Sequence, residues 1–295
     1  VIMERPVIAG VGEILFDIVG DSEELGGAPI NFAYHASMLG AEGYAVSTIG
    51  DDTRGRRALA ELSRRKVPTS CITTIKGYAT GYVLARVDGA GVASYEFPDD
   101  IAWDHLAIND AAAELASRLD GVCFGSLVQR GEHSRRVLTD YLSMLPEKAL
   151  KIFDINLRQN FYSAEVVLGS IALADIIKLN DDELQILAEM AAISGSEQEI
   201  LDQLVAKHDL TLAVLTRGDR GSLLVRRGEV SDHPGIRTEN IGDTIGAGDA
   251  FTAATVISLL NNYSLDDINE KANRVAAWVC SQKGAMPEMP SSFKI

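Results

Sequence analysis

Short runs of β-branched and other apolar residues alternate along this chain with longer stretches whose apolar positions recur every three or four residues. VIAGV at 7–11, YAVSTI at 44–49, GVCFG at 121–125, LKIFDI at 150–155, DIIKL at 175–179 and LTLAVLT at 210–216 each predict a strand. Their apolar residues are contiguous rather than strictly alternating, the pattern of strands covered on both faces. Helical periodicity fills 30–39, 54–66, 110–119, 131–144, 164–173, 181–191 and 197–207. Two more helices are predicted over roughly 247–260 and 265–282. Strand and helix in regular alternation predict an α/β fold with a parallel sheet flanked by helices.

One interval breaks this rhythm. From Cys71 to Asp100, Thr, Tyr and Val alternate and glycines punctuate, which is antiparallel hairpin chemistry with a turn at DGAG, 88–91. ILFDIVGD at 14–21 offers a further strand beside it. Together, about 14–25 and 71–100 predict a small sheet projecting from one main domain that spans 1–295. So small a sheet buries little on its own, and a second subunit is the natural cover for its apolar face. A homodimer through this sheet is the expected assembly; the alternative is a monomer whose small sheet folds over its own cleft.

Composition narrows the function. With 42 acidic and 27 basic residues the formal charge is −15, which disfavours nucleic-acid backbones and anionic lipid surfaces as partners. Phosphate-bearing ligands stay open, because backbone dipoles bind anions inside acidic proteins. Cys71, Cys123 and Cys280 are odd in number and far apart, which predicts no disulfide framework and fits a reducing, cytoplasmic setting. No apolar run reaches the ~18 residues of a membrane span, and VIMERPVIAG makes a poor signal peptide. GxxxxGK[ST], GxSxG and HExxH are absent, and AGVGE at 9–13 lacks the spacing of a dinucleotide fingerprint.

Three glycine-bearing turns carry the candidate chemistry. In IGDTIGAGDAF, Gly246, Ala247 and Gly248 precede Asp249 at the start of an apolar helix. Small residues and a first helical turn make an anion site, and a carboxylate inside it suits proton removal beside developing negative charge. Asp249 is equally read as an acid that merely complements the helix dipole. GGAPINF at 26–32 places Gly27 and Asn31 at a second helix start, or is simply a loop entering a helix. LTRGDRGS at 215–222 is a third turn, and Asn180 and Glu183 sit where a strand meets the next helix. A carboxylate there can hold water around magnesium, or serve only as a helix N-terminal acid.

Taken together, these segments resemble the ribokinase (PfkB-type) family of carbohydrate kinases. The resemblance rests on GGAPINFA at 26–33 with Gly40 and Gly50, and on DTIGAGDAF at 243–251. GEILFDI at 12–18, FDINLR at 153–158 and QKGAMPEMP at 282–290 read most like fructokinases within it. It implies a ribokinase-like sheet with a β lid, and an ATP-dependent transfer to a sugar hydroxyl, fructose to fructose 6-phosphate first among the options. Kinases for 2-keto-3-deoxygluconate or ribose stay open beside it, as does a non-catalytic sugar- or nucleotide-binding regulator. The resemblance implies roles for individual residues as well. Asp249 is the base, with Gly246, Ala247 and Gly248 as the anion hole and Arg158 facing the phosphoryl group or the sugar. Asp17, Gly27 and Asn31 hold sugar hydroxyls. Asn180 and Glu183 organise Mg2+ and the triphosphate, while Thr216, Gly218, Gly221 and Asn273 contact the nucleotide. Asp243 and Thr244 are left as a monovalent-cation site, for K+.

Overall fold

The computed structural model describes residues 5–87, 93–238 and 242–295. Strand β1 (Val7–Val11) starts the large sheet, and the chain then leaves it through β2 (Leu15–Val19) and β3 (Ser22–Gly26). Helix α1 (Ala28–Leu39) returns to β4 (Glu42–Gly50), and α2 (Thr53–Arg64) leads to β5 (Ile72–Ile75). A second excursion makes β6 (Gly81–Val87) and β7 (Ala93–Glu96). Alternation then resumes through α3 (Asp110–Ala116), β8 (Gly121–Phe124), α4 (Glu132–Ser143) and β9 (Leu150–Asp154). It continues with α5 (Ala164–Leu173), β10 (Ile176–Asn180), α6 (Asp181–Ala191), α7 (Glu197–His208) and β11 (Leu212–Thr216). A hairpin, β12 (Ser222–Arg226) and β13 (Glu229–His233), precedes the last helices α8 (Ala247–Leu260) and α9 (Leu265–Cys280).

The large sheet runs β13-β12-β11-β10-β9-β8-β1-β4-β5, parallel throughout except for the antiparallel β11-β12-β13 edge. Successive residues face opposite cores, which explains the contiguous apolar runs. Ile152, Ile176 and Leu212 join Phe32, Phe251 and Ile268 on the face covered by α1, α8 and α9. Phe153, Ile177 and Ala213 join Leu138, Leu184 and Leu204 on the other. Chain order reverses at β1, whose neighbours are β4 and β8. In open α/β sheets the crevice beyond the carboxyl ends of the strands at such a reversal is where ligands bind.

The Cys71–Asp100 interval requires a correction. Ile72–Ile75 pairs in parallel with Ser47–Gly50 as an edge of the large sheet. Its ITTI alternation marks a strand with one covered face, a pattern it shares with hairpin strands. The small sheet, ordered β3-β2-β6-β7, is therefore built from Leu15–Val19, Ser22–Gly26, Gly81–Val87 and Ala93–Glu96, with β2 and β6 parallel. The turn expected at 88–91 lies outside the described residues.

Helix α1 sits unusually close to β1. A Cβ on Gly10 would lie 1.9 Å from the Pro29 carbonyl oxygen, so this strand position must be bare for the first turn of α1 to dock. We expect Gly10→Ala to lower stability by about 1–3 kcal/mol, the range for overpacking. Gly169→Ala, in α5 with nothing within 4 Å of the added carbon, should instead gain about 0.5–1 kcal/mol. Urea denaturation of the two variants checks the contrast; equal midpoints would show that the approach of α1 tolerates a side chain.

Candidate active site

Most helices here begin with a side-chain cap: Asp52, Asn109, Ser163, Asn180, Ser196 and Ser264 each accept a first-turn amide. α1, α4 and α8 do not. α4 starts at Gly131 in an extended conformation, whereas α1 and α8 start at glycines of positive φ, Gly27 (120°) and Gly246 (79°). Both glycines are forced by crowding as well as by backbone angle. A Cβ on Gly27 would lie 2.4 Å from the Glu13 carbonyl oxygen, and one on Gly246 would lie 2.4 Å from that of Ala285. Uncapped helix N-termini carry free donors and the positive end of the dipole. These two helices pack against each other, and Asn31 Nδ2 in one first turn donates to Asp249 Oδ2 in the other at 2.8 Å.

Charged groups converge on this junction. Burial, joined by the charge of Asp154, pushes the Asp249 carboxyl up to about 6, while Asn31, Lys178 and Arg158 pull it back. Glu13, just after β1 and 2 % exposed, is pushed up to about 7, mainly by burial. Its own amide, Arg158 and the Ala28 amide oppose that rise, and Asp249 adds to it. Asp17 on β2 lies over Gly26, raised by burial against the pull of Arg158. Arg158 thus faces three carboxyls, those of Asp17, Glu13 and Asp249. Groups with such displaced proton affinities in a crevice mark sites of acid–base chemistry.

A second cluster lies along the same ends of the sheet. Asn180 ends β10 opposite Thr216 of β11, and Thr216 pairs with Ser222 of β12. Ser222 Oγ accepts from Asn273 Nδ2 at 2.7 Å, so Thr216, Gly221 and Asn273 do come together. Asn273 Nδ2 also meets the Asn269 carbonyl and side-chain oxygens at 2.9 and 3.0 Å, joining α9 to the hairpin. Gly218 opens the turn at φ 59°, and Gly221 is bare because a Cβ would lie 2.0 Å from the His233 carbonyl oxygen. Asn180 and Glu183 form a reciprocal capping box at 2.9 Å each way. The other Glu183 oxygen accepts from the Leu157 amide at 2.8 Å, next to Arg158. Burial raises the Glu183 carboxyl, and Lys178 opposes the rise. Asp243 accepts from the Ile245 amide at 3.0 Å, and neighbouring Thr244 is exposed.

Four residues here were not singled out from sequence: Glu13, Asp154, Lys178 and Thr252. Asp154 Oδ1 accepts from Lys178 Nζ at 3.1 Å, and Asp154 Oδ2 lies 3.1 Å from the Thr252 hydroxyl. A signal for the pair existed. Lys178 and Asp154 interrupt runs that predict strands covered on both faces, and a charge there must be buried and paired.

Residues 14–292 match the family described as pfkB family carbohydrate kinase. The uncharacterized sugar kinase PH1459 of Pyrococcus horikoshii is 30% identical over 299 residues, covering 95% of this chain and 91% of that one. Its crystal structure in complex with ATP superposes with a TM-score of 0.81 over 95% of this chain and 94% of that one. A fructokinase of Klebsiella pneumoniae is 28% identical over 300 residues, 95% of each chain. The Xylella fastidiosa fructokinase structure with bound ATP shares the fold at a TM-score of 0.83, with 21% identity over 98% of this chain and 96% of that one.

The raised Glu13 carboxyl makes a signed prediction. A folded-state value near 7 means its stabilising contribution is complete below the ordinary carboxylate value and lost as pH rises through 7. Glu13→Gln removes that penalty, so its Tm advantage over wild type should grow between pH 5 and pH 8. A pH-independent difference by calorimetry would show that Glu13 ionises normally.

Proposed function

The chain belongs to the pfkB family of carbohydrate kinases, and on that premise we propose that this sugar kinase is an ATP-dependent fructokinase acting on the 6-hydroxyl. The observation that carries the reading is Asp249, an acid poised near pH 6 in the uncapped first turn of α8 and held by Asn31 from the first turn of α1. The fructokinase relatives support the choice of sugar.

In the transfer, the sugar oxygen forms a bond to the γ-phosphorus as the bond from that phosphorus to the β–γ bridging oxygen breaks, and ADP leaves. The hydroxyl proton passes to Asp249. Such transfers have a loose transition state, so positioning and charge stabilisation carry the rate. The first-turn amides at Gly246, Ala247 and Gly248 and the guanidinium of Arg158 face the transferred group. Asp17, Gly27 and Asn31 orient the sugar, and the small sheet closes over it to exclude water. Thr216, Gly218, Gly221 and Asn273 take the nucleotide end, one strand beyond Asn180.

Among the described residues no three His, Cys, Asp or Glu side chains gather as a metal cage. That fits Mg2+ arriving on the triphosphate, since this ion keeps its waters and uses few carboxylates. Glu183 would hold it through water, and when bound it neutralises phosphate charge. Asp243 and Thr244 are our assignment for K+. No helix of the described residues is long and apolar enough to cross a membrane, and the three cysteines are free, which supports a cytoplasmic setting.

Asp249→Asn should lower kcat by ~10²–10⁴-fold with sugar affinity within a few fold, as expected for a lost general base. Because the carboxylate form is the active one, wild-type kcat/KM, which reports the free enzyme, should fall as pH drops through about 6. Coupled ADP release over fructose, ribose and 2-keto-3-deoxygluconate measures both quantities and selects the sugar. A variant with near-normal kcat would remove Asp249 as the base, and turnover of another sugar would replace fructose.

The homodimer reading draws support from Val19 on β2 and Tyr95 on β7, 53% and 56% exposed on the small sheet. Light scattering at micromolar concentration should give twice the 31.7 kDa chain mass. A monomer mass with and without fructose would rule out the shared sheet.

A further inference from the structure

Beneath the first turn of α8 lies an ion pair that the mechanism above does not use. Asp154, the last residue of β9, is 4% exposed, and Lys178 of β10 is 8% exposed. Their charged atoms meet at 3.1 Å. Burying two charges costs their hydration, and well-packed apolar residues often serve stability as well or better. A purely structural role therefore gives little reason for the pair to sit between two strands of an apolar sheet.

Its placement supplies a reason. The Thr252 hydroxyl hydrogen is shared between two acceptors, Asp154 Oδ2 at 3.1 Å and the Gly248 carbonyl at 3.0 Å. Lys178 Nζ lies 3.2 Å from where a Cβ on Gly248 would stand. The ammonium is thus pressed against the turn that carries the uncapped amides. A cation at the positive end of a helix is repulsive unless anions gather there too. Asp154 and Asp249 supply two negative charges, and a transferred phosphoryl group would supply more.

We propose that Lys178 is a positioning residue for phosphoryl transfer, acting through Asp154, Thr252 and Gly248 to fix the anion-binding turn of α8 and to keep a permanent positive charge behind it. This rests on the sugar-kinase reading and adds to it the residues that prepare the turn. Asp249 is then faced by Cys123 from β8, Asp154 from β9, Lys178 from β10, Arg158 from the loop after β9, Glu13 from the loop after β1 and Asn31 from α1. Burial favours a neutral Lys178, yet the carboxylates of Asp154, Glu183 and Asp249 hold it charged. Asp154 and Lys178 act on the Asp249 proton in opposite senses, so removing either has a signed consequence.

The test uses Lys178→Met, Asp154→Asn and the double variant, which leaves no uncompensated buried charge. Steady-state kinetics with ATP and the preferred sugar should show kcat of the double variant lowered by about tenfold or more, less than loss of a direct oxyanion donor, with sugar KM within about threefold. Carboxyl NMR of Asp249 in the resting protein needs no substrate. Its titration midpoint should move up in Lys178→Met and down in Asp154→Asn. If Lys178→Met does not fold, Asp154→Asn and the double variant carry the two measurements. Wild-type kcat in the double variant, or an Asp249 midpoint unmoved by the single changes, overturns the proposal. A wild-type protein that phosphorylates no sugar counts against the kinase reading instead, and the carboxyl titration still decides whether this pair controls Asp249.

Discussion

The hydrogen bond from Asn31 to Asp249 joins two helix N-termini that have no side-chain cap, and the rest of the molecule makes that meeting possible. Gly10 lets α1 settle on β1, and Gly246 lets the chain turn into α8 against Ala285. Strand order reverses at β1, against which α1 packs, and such reversals are where open α/β sheets place their ligand crevices. Two positive helix ends side by side repel each other, and negative charge at the junction offsets that repulsion. Asp249 and Asp154 provide it in the resting protein, and a transferred phosphoryl group would add to it during turnover.

This arrangement separates surface charge from site charge. The chain carries a formal −15, yet burial raises the proton affinity of two acids at the junction, Glu13 to about 7 and Asp249 to about 6. An acid with a midpoint near 6 is ionised at neutral pH and remains basic enough to take a hydroxyl proton late in a transfer. Arg158 and Lys178 keep that ionised state accessible. The acidic exterior therefore coexists with a junction of free helix amides and two cations, because these act at a range the solvated surface acids do not reach.

Much of this was legible in the order of residues. Strands buried on both faces announce themselves by contiguous apolar runs, and β1, β8, β9, β10 and β11 fall within one or two residues of where those runs lie. Edge strands do not. SEELG in β3 and EVSDH in β13 carry no apolar rhythm, and ITTI in β5 alternates as a hairpin strand would. Asp249 and Asn31 could be found because glycines and alanines at a helix start leave its amides bare, and a polar side chain one turn in then faces the same opening. Lys178 and Asp154 could not be paired from sequence alone. They are 24 residues apart, and only the parallel register of β9 and β10 brings Lys178 opposite Asp154.

The central claim is that the joined ends of α1 and α8 transfer a phosphoryl group to a sugar rather than merely bind one. Phosphorus NMR of the protein with ATP, Mg2+ and fructose observes that bond directly. A sugar 6-phosphate resonance growing in step with ADP is the predicted result. ADP accompanied only by free phosphate, or an unchanged ATP spectrum across the sugar panel, would contradict it.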